Sequence, residues 1–276
     1  MSLAEMRGLV PPLAVNVSRD FRGGRREYRS FAEAERRSES GYGSADLAKI
    51  VVEKTETFKS STSAHDPTVS VHEFALFSAL SSLPASGPIT VLDFGGGAGA
   101  TYYRARNWVS APSLEWRVVE TAVMVSEAGS TSTDELSFHA GISSATEEML
   151  KPPDLILISS ALQYLDQPEA VLENLLDIEA GSFVVARTPL ATSAQTHILI
   201  QKSRLSENGP GPLPPGTQDT FVKYPVTYLP FETVRSQLTA RYQRVHHIVE
   251  DPRLRRLRGG VIVGQHSFCA SKPLKR

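Results

Sequence analysis

The chain has 276 residues, with 29 Lys and Arg residues against 30 Asp and Glu residues and a formal net charge of -1. This length can bury a sizeable core, either in one large α/β domain with an appendage or in two small domains. The nearly balanced charge provides no global attraction to nucleic acid or to an acidic membrane. We therefore expect a small-molecule ligand and neither a nucleic-acid nor a membrane partner, while a homodimer is compatible with the sequence.

The single cysteine and the N-terminal sequence bear on the cellular compartment. Cys269 cannot form an intramolecular disulfide, and its apolar, strand-like surroundings predict a buried, inert thiol. The N-terminus lacks the basic segment and apolar stretch of a signal peptide, and no run approaches the ~18 apolar residues of a membrane helix. We expect a soluble, cytoplasmic protein.

The first 84 residues are predicted to form an arm and a helical extension. Residues 1–43 are polar and rich in arginine, but interspersed glutamates weaken the case for nucleic-acid binding. Ser30 and Glu33 have the capping-box spacing of a short helix. Helical periodicity predicts helices at Ala45–Phe58 and Val69–Leu83. Pro84–Pro88 breaks the chain, so we divide it into a cap, residues 1–84, and a core, residues 85–276.

From Ile89 onward, short apolar runs alternate with helical segments, which indicates βα units around a mostly parallel sheet. The fold class is therefore α/β and Rossmann-like, with seven strands, helices on both faces and an antiparallel last strand. We predict strands at Ile89–Phe94, Trp116–Glu120, Leu136–His139, Leu155–Ser159, Ser182–Arg187, Arg244–Val249 and Val261–Ala270. We predict core helices at Thr101–Val109, Val123–Ala128, Ala145–Met149, Pro168–Leu176 and Phe231–Ala240.

A long insertion at about residues 189–230 interrupts this alternation. It begins with an amphipathic piece around His197–Gln201, which we interpret as a helix covering the core, and continues into the Gly/Pro-rich Asn208–Gly216. Long irregular segments in compact domains tend to be lids or binding loops. The insertion is therefore a candidate lid.

The first predicted strand runs into a glycine-rich turn at the expected mouth of the sheet. The turn comprises Asp93, Phe94, Gly95, Gly96, Gly97, Ala98 and Gly99. Glycines let the turn adopt positive φ angles and let a ligand lie against the backbone. Because Gly95-x-Gly97-x-x-Ala100 also satisfies a dinucleotide pattern, both S-adenosylmethionine (SAM) and a nicotinamide dinucleotide are candidates.

Two carboxylates favour SAM over the dinucleotide. Asp93 would repel a pyrophosphate but can meet the ammonium of a methionine moiety. Glu120 ends the second strand, where a carboxylate can accept both hydrogen bonds of a ribose diol. After the third strand, Ile142 is expected to pack on the adenine and Ser143 to bond its exocyclic amine. The expected cofactor is SAM, with S-adenosylhomocysteine (SAH) as product.

The acceptor is expected beyond the fourth and fifth strands. Ser160, Gln163 and Tyr164 follow the fourth strand at the expected mouth of the active site, and Arg187 at the end of the fifth could bind an anionic acceptor or form a structural salt bridge. We assign Ser160 to the cofactor and Arg187, Gln163 and Tyr102 to the substrate.

An acceptor that carries a proton needs a base, although methyl transfer itself mainly requires positioning. His197 is the first catalytic candidate because it lies in the insertion, and Tyr164 and His139 follow. We expect no metal, since the neighbouring His246 and His247 would point to opposite faces of a strand.

Taken in order, these residues resemble those of class I SAM-dependent methyltransferases and, within that class, one poorly characterised family. The resemblance implies a seven-stranded sheet with the strand order usual for that class, SAM as methyl donor and transferase activity (EC 2.1.1.-). It also suggests a sugar or secondary metabolite as acceptor. The chain departs from the family pattern at Phe21, where tryptophan is expected, which leaves the role of the arm open. The resemblance is carried by Tyr28–Ala34, Gly41-Tyr42, Leu92–Gly99, Tyr102-Tyr103, Trp116–Glu120, Ser160–Leu165, Arg187–Pro189 and Tyr224-Pro225.

Two alternatives remain open from the sequence. An NAD(P)-dependent oxidoreductase could use the same glycine turn, but Asp93 and the lack of a Tyr-x-x-x-Lys pair argue against it. A non-catalytic SAM-binding module would keep Asp93 and Glu120 and transfer no methyl group.

Overall fold

The computed structural model describes residues 26–38, 45–61, 69–84, 87–109, 112–147, 149–257 and 260–274, with the backbone alone for residues 251–256. Most of the N-terminal arm, including Phe21, lies outside the described residues, as do Gly41-Tyr42 and part of the Pro84–Pro88 break. Among the helices in the described ranges, none is long and apolar enough to span a bilayer.

Seven strands form one sheet in the order β3-β2-β1-β4-β5-β9-β8. Strands β1 to β5 run parallel, and β9 lies antiparallel between β5 and β8. The predicted fold class is confirmed. The strands are β1 (Ile89–Phe94), β2 (Leu114–Val119), β3 (Leu136–His139), β4 (Leu155–Ser159), β5 (Ser182–Ala191), β8 (Tyr242–Arg256) and β9 (Ile262–Pro273).

Helices cover both faces of the sheet, because the central strands β1 and β4 are apolar on both sides. One face packs against α3 (Val71–Ser81) and α4 (Ala100–Trp108). The opposite face packs against α6 (Ile142–Thr146), α7 (Pro168–Leu176) and α8 (Phe231–Thr239). The buried Cys269 belongs to the first of these cores, and burial raises the pKa of its thiol.

The N-terminal helices pack on the core. Helix α1 (Phe31–Glu35) begins at Ser30, whose hydroxyl accepts from the Glu33 amide as predicted, while the Glu33 carboxylate accepts from the Arg29 amide. Helix α2 (Ala45–Ser61) packs against α5 (Ala122–Ala128). Helix α3 supplies five buried residues to the core of the sheet.

The helix predicted around His197 is wrong. The insertion instead forms a separate two-stranded antiparallel sheet of β6 (His197–Arg204) and β7 (Phe221–Tyr228). Alternating burial along β6 and the register with β7 place Leu199 and Val226 in a small apolar core against the end of β5. The alternation has the period of a strand rather than that of a helix. A 3-10 turn, Leu205–Glu207, follows β6.

Three register shifts interrupt the antiparallel part of the main sheet. One lies in β5 between Val185 and Thr188, and two lie in β8, between Val249 and Asp251 and between Asp251 and Arg255. Such bulges change the direction in which a side chain points. The first two shifts lie at Arg187 and Glu250, two residues of the site described next.

Candidate active site

A cavity of about 1050 Å³ opens at the carboxyl ends of the parallel strands β1, β2, β4 and β5. Its walls come from the glycine turn, the ends of these strands, helices α2 and α3, strand β6 and the 207–210 segment. This is the edge where open α/β sheets bind ligands. The volume suits a cofactor together with a small second substrate.

The glycine turn brings the backbone to the cavity wall. Gly95 has φ +73°, and a Cβ there would lie 2.3 Å from the Cβ of Ala161. A Cβ on Gly96 would lie 2.5 Å from Oδ2 of Asp93. The turn therefore has no room for side chains at these two positions. Of the predicted cofactor residues in this segment, Asp93, Phe94, Gly95, Gly96 and Gly97 line the cavity.

Asp93 is buried, at 1% exposure, and lines the cavity floor. Its Oδ2 accepts from Nε1 of Trp116 at 3.0 Å, whereas its Oδ1 has no hydrogen-bond partner. Burial raises the pKa of Asp93 to about 7, against the lowering effects of the Trp116 hydrogen bond and Arg187. An unpaired buried carboxylate oxygen is costly, so a donor or cation from a ligand would be favourable there.

Glu120 lies across the glycine turn from Asp93, directly after β2. One carboxylate oxygen accepts from the Gly97 amide at 3.2 Å and the other from the Thr121 amide at 2.8 Å. Burial raises the pKa of Glu120, while these two backbone hydrogen bonds lower it. The carboxylate is therefore held at the cavity wall with lone pairs left for further donors.

The segment after β4 adds polar groups to the wall. Ser160, Gln163 and Tyr164 all line the cavity, and Gln163 Nε2 donates to Ser160 Oγ at 2.8 Å. Gln163 is buried and its Oε1 has no partner. Ser160 has φ +58°, a conformation that is uncommon for non-glycine residues and costs backbone strain. Ile142 also lines the cavity, on the side of β3.

Arg187 reaches the cavity from the bulge in β5. Its φ is +51°, and its Nε donates to Ser159 Oγ at 2.9 Å. Its backbone amide points the other way and donates to Glu250 at 2.8 Å. The bulge thus separates the guanidinium, which faces the cavity, from the amide, which holds a buried carboxylate.

A histidine outside the predicted site residues also lines the cavity. His72, in the first turn of α3, contacts Oε2 of Glu250 through Nδ1 at 2.5 Å. The side chain of Glu250 is fully buried, and that of His72 is 14% exposed. These residues are 178 positions apart, so no local spacing could have indicated the pair.

Four predicted site residues do not line the cavity. Tyr102 is buried in the core, where its hydroxyl donates to Glu135 at 2.8 Å, so the structure gives no support to its predicted contact with substrate. Ser143 is exposed on α6, and Gly99 is buried beneath the turn at the start of α4.

His197 is the fourth, and the catalytic role predicted for it is not supported. Its Nδ1 contacts Glu27 and its Nε2 contacts Ser193, both at 2.6 Å, away from the cavity. His139 is likewise off the cavity wall and contacts Ser137 at 2.9 Å.

No protein-family model matches the sequence, and no curated protein matches it. The N-terminal domain of EvdMO1 with SAH bound is a similar solved structure, at 14% identity and TM-score 0.45 over 74% of this chain and 82% of that one. The CcbJ methyltransferase from Streptomyces caelestis is similar at 13% identity and TM-score 0.40, covering 81% and 99%. Human N-acetylserotonin methyltransferase in complex with SAM is similar at 14% identity and TM-score 0.40, covering 84% and 58%. At this distance the likeness assigns neither a function nor a site residue.

Proposed function

We propose that the protein transfers a methyl group from SAM to an oxygen or nitrogen atom of a small molecule. The observation that carries the proposal is the buried Asp93 carboxylate, which lines the cavity beside the glycine turn and whose Oδ1 has no hydrogen-bond partner. A ligand ammonium would satisfy this oxygen and favour the charged carboxylate.

The residues around the turn fit the parts of SAM. Asp93 would bind the ammonium of its methionine part, Glu120 the ribose diol, and Ile142 the adenine face. The backbone at Gly95–Gly97 would let the ligand pass closely over the turn. SAM supplies a methyl group on a sulfonium, so the protein's own task is to hold the acceptor in line and to exclude water.

A dinucleotide fits these residues less well. Its pyrophosphate would lie on the glycine turn, where Asp93 and Glu120 place two carboxylates on the cavity wall. The 276-residue sequence also contains no Tyr-x-x-x-Lys pair to act as a proton donor. An oxidoreductase is therefore the weaker candidate.

The acceptor half of the cavity lies beyond Ser160. Gln163, Tyr164 and Arg187 surround it, and the Arg187 guanidinium makes it suitable for an anionic group. A sugar or secondary metabolite, and membership of the narrower methyltransferase family, rest on the sequence resemblance and remain part of this proposal.

The first experiment is calorimetric titration of the full chain with SAM, SAH, NAD and NADP. We expect micromolar binding of the two adenosyl ligands alone. Asp93→Asn and Glu120→Gln should each weaken SAM binding by roughly 1–3 kcal/mol, the cost of losing a hydrogen bond to a charged group. Glu147→Gln, which removes an exposed carboxylate off the cavity, is the matched control and should bind SAM normally.

The outcomes separate the three candidate functions. Preference for NAD or NADP would overturn the proposal in favour of a dehydrogenase. Unchanged SAM affinity in both variants would refute the site assignment. If SAM binds, incubation with radiolabelled SAM and a panel of anionic and neutral hydroxyl and amine compounds tests transfer, and its failure with every compound would favour a non-catalytic binding module.

A further inference from the structure

Glu250 forms the centre of a buried hydrogen-bond cluster behind the acceptor half of the cavity. Its Oε1 accepts from the Arg187 amide at 2.8 Å and from the Ser267 hydroxyl, and its Oε2 contacts His72. Ser267 has no exposed surface. These three contacts fix the carboxylate in place.

The cluster depends on one bulge in β5 and on the first register shift in β8. The bulge in β5 turns the Arg187 amide away from the ladder with β9 and toward Glu250. The register shift in β8 falls at Glu250 itself, between Val249 and Asp251. Bulges of this kind re-aim side chains next to active sites. In this protein they turn the carboxylate of Glu250, on β8, toward His72 of helix α3. Helix α3 packs on the sheet and also lines the cavity.

His72 is the part of the cluster that reaches the cavity. Its Nδ1 is bonded to Glu250, which leaves Nε2 without a protein partner among the residues that the structure describes. Other charges on the same wall are those of Arg187 and of the Glu73–Arg104 ion pair, at 2.9 Å. A carboxylate that accepts the Nδ1 proton selects the tautomer with a free lone pair on Nε2 and stabilises the imidazolium.

We propose that His72 is the general base that deprotonates the methyl acceptor and that Glu250 positions it. The proposal rests on the proposed methyltransferase function and narrows its substrates to compounds that must lose a proton, such as a hydroxyl or a protonated amine. The acceptor's O–H or N–H bond breaks and its proton joins Nε2 of His72. The acceptor's electron pair forms the bond to the methyl carbon, the carbon–sulfur electrons stay on sulfur, and the imidazolium later releases its proton to water.

Two variants separate the base from its support. His72→Asn keeps an amide N–H near the position of Nδ1, so the bond to Glu250 survives while the group at Nε2 is lost. Glu250→Gln keeps the shape of the side chain and removes the charge that orients the ring. His246→Gln, an exposed histidine on the same strand as Glu250, is the matched control.

The first test needs no acceptor. Long-range nitrogen–proton NMR of the full chain labelled in its histidines, at about pH 8, shows which ring nitrogen of His72 carries the proton. The signal of His72 is assigned by its loss in His72→Asn. We expect the proton of the neutral ring on Nδ1, and a loss of that preference in Glu250→Gln. A neutral ring with its proton on Nε2 would overturn the proposal.

The second test uses SAH binding and the acceptor found with radiolabelled SAM. His72→Asn should bind SAH within about twofold of the unchanged chain and lower the single-turnover rate by roughly 10²–10⁴-fold, the usual contribution of a general base. Glu250→Gln should lower the single-turnover rate less than His72→Asn does, and His246→Gln should leave this rate unchanged. A His72→Asn rate above half that of the unchanged chain sinks the proposal, whereas absent SAH binding in the unchanged chain refutes the methyltransferase function instead.

Discussion

At the scale of single residues, the ionised carboxylate of Asp93 destabilises the folded protein when no ligand is bound. Its pKa lies near 3.8 in a model peptide and about 7 in the folded protein. Between these values the folded state binds the proton more tightly, so the stability contributed by this residue falls as the pH rises from 4 to 7 and stays low above it. Glu120, whose pKa is also raised, acts in the same direction.

Asp93→Asn should therefore stabilise the free protein at pH 8 while weakening SAM binding. The expected gain is up to about 4 kcal/mol, the free-energy equivalent of this pKa difference, and it should shrink toward pH 4. Urea unfolding at a series of pH values measures it. Asp134→Asn, at an exposed position, should show no such pH dependence. A stability gain independent of pH would mean that the carboxyl is not the source of the cost.

A substitution at Gly95 tests whether the turn tolerates a side chain. Gly95→Ala adds a Cβ that would overlap Ala161 at a φ of +73°. The left-handed strain and the overpacking together should cost about 2–5 kcal/mol and lower SAM affinity. Gly129→Ala, with φ -56° and nothing within 4 Å, should be neutral or slightly stabilising. Equal midpoints of urea unfolding for these two variants would contradict this account of the turn.

The sequence indicates cavity residues at strand ends and gives no sign of those that only tertiary contacts bring together. Asp93, Glu120 and Ser160 lie at or just after the carboxyl ends of parallel strands, and such ends converge on one edge. Arg187 lies where the parallel pairing of β5 with β4 ends. His72 and Glu250 meet only because a helix packs over a bulged antiparallel strand. His197 was selected for its chemistry, but the structure places it off the cavity wall.

At the scale of elements, the parallel strands were predictable and the insertion was not. Long apolar runs such as Leu155–Ser159 are recognisable because both faces are buried. The apolar and polar residues of His197–Arg204 alternate only in part, so helix and strand were hard to separate over so short a piece. The partner strand, Phe221–Tyr228, is separated from the end of β6 by 16 residues, too many for a hairpin signal.

Lys54 on α2 ties this insertion to the N-terminal helices. Its buried ammonium donates to the backbone carbonyls of Ser206 and Asn208, and burial lowers its pKa to about 8. Lys54→Met should release the 205–211 segment at the cavity wall, because two charge-assisted hydrogen bonds are lost. Hydrogen exchange of these amides should become about tenfold faster or more. Lys49→Met, at an exposed position of the same helix, should leave the exchange unchanged.

At the scale of the whole molecule, one hydrophobic core continues across residue 84, the predicted boundary between the cap and the core domain. Helix α3 lies before that boundary, yet Leu76, Phe77 and Leu80 belong to the same buried cluster as the strands β1, β2 and β4. Phe77 also stacks on Trp108 of α4 with ring centroids 4.7 Å apart. The cavity also includes residues from both sides of this boundary, because its walls combine α2 and α3 with the ends of the parallel strands.

We therefore expect the helices and the sheet to unfold in one cooperative step. Leu80→Ala should lower the free energy of unfolding by about 2–5 kcal/mol, since it leaves a cavity in the shared core. Phe74→Ala, at a position 55% exposed on the same helix, should change it by about 0.5 kcal/mol or less. Urea transitions followed by tryptophan fluorescence and by far-ultraviolet circular dichroism should coincide and move together in Leu80→Ala. Two separate transitions, with only the earlier one shifted, would instead show that α3 belongs to a cap that folds independently, and the wall of the cavity that carries His72 could then open without unfolding the sheet.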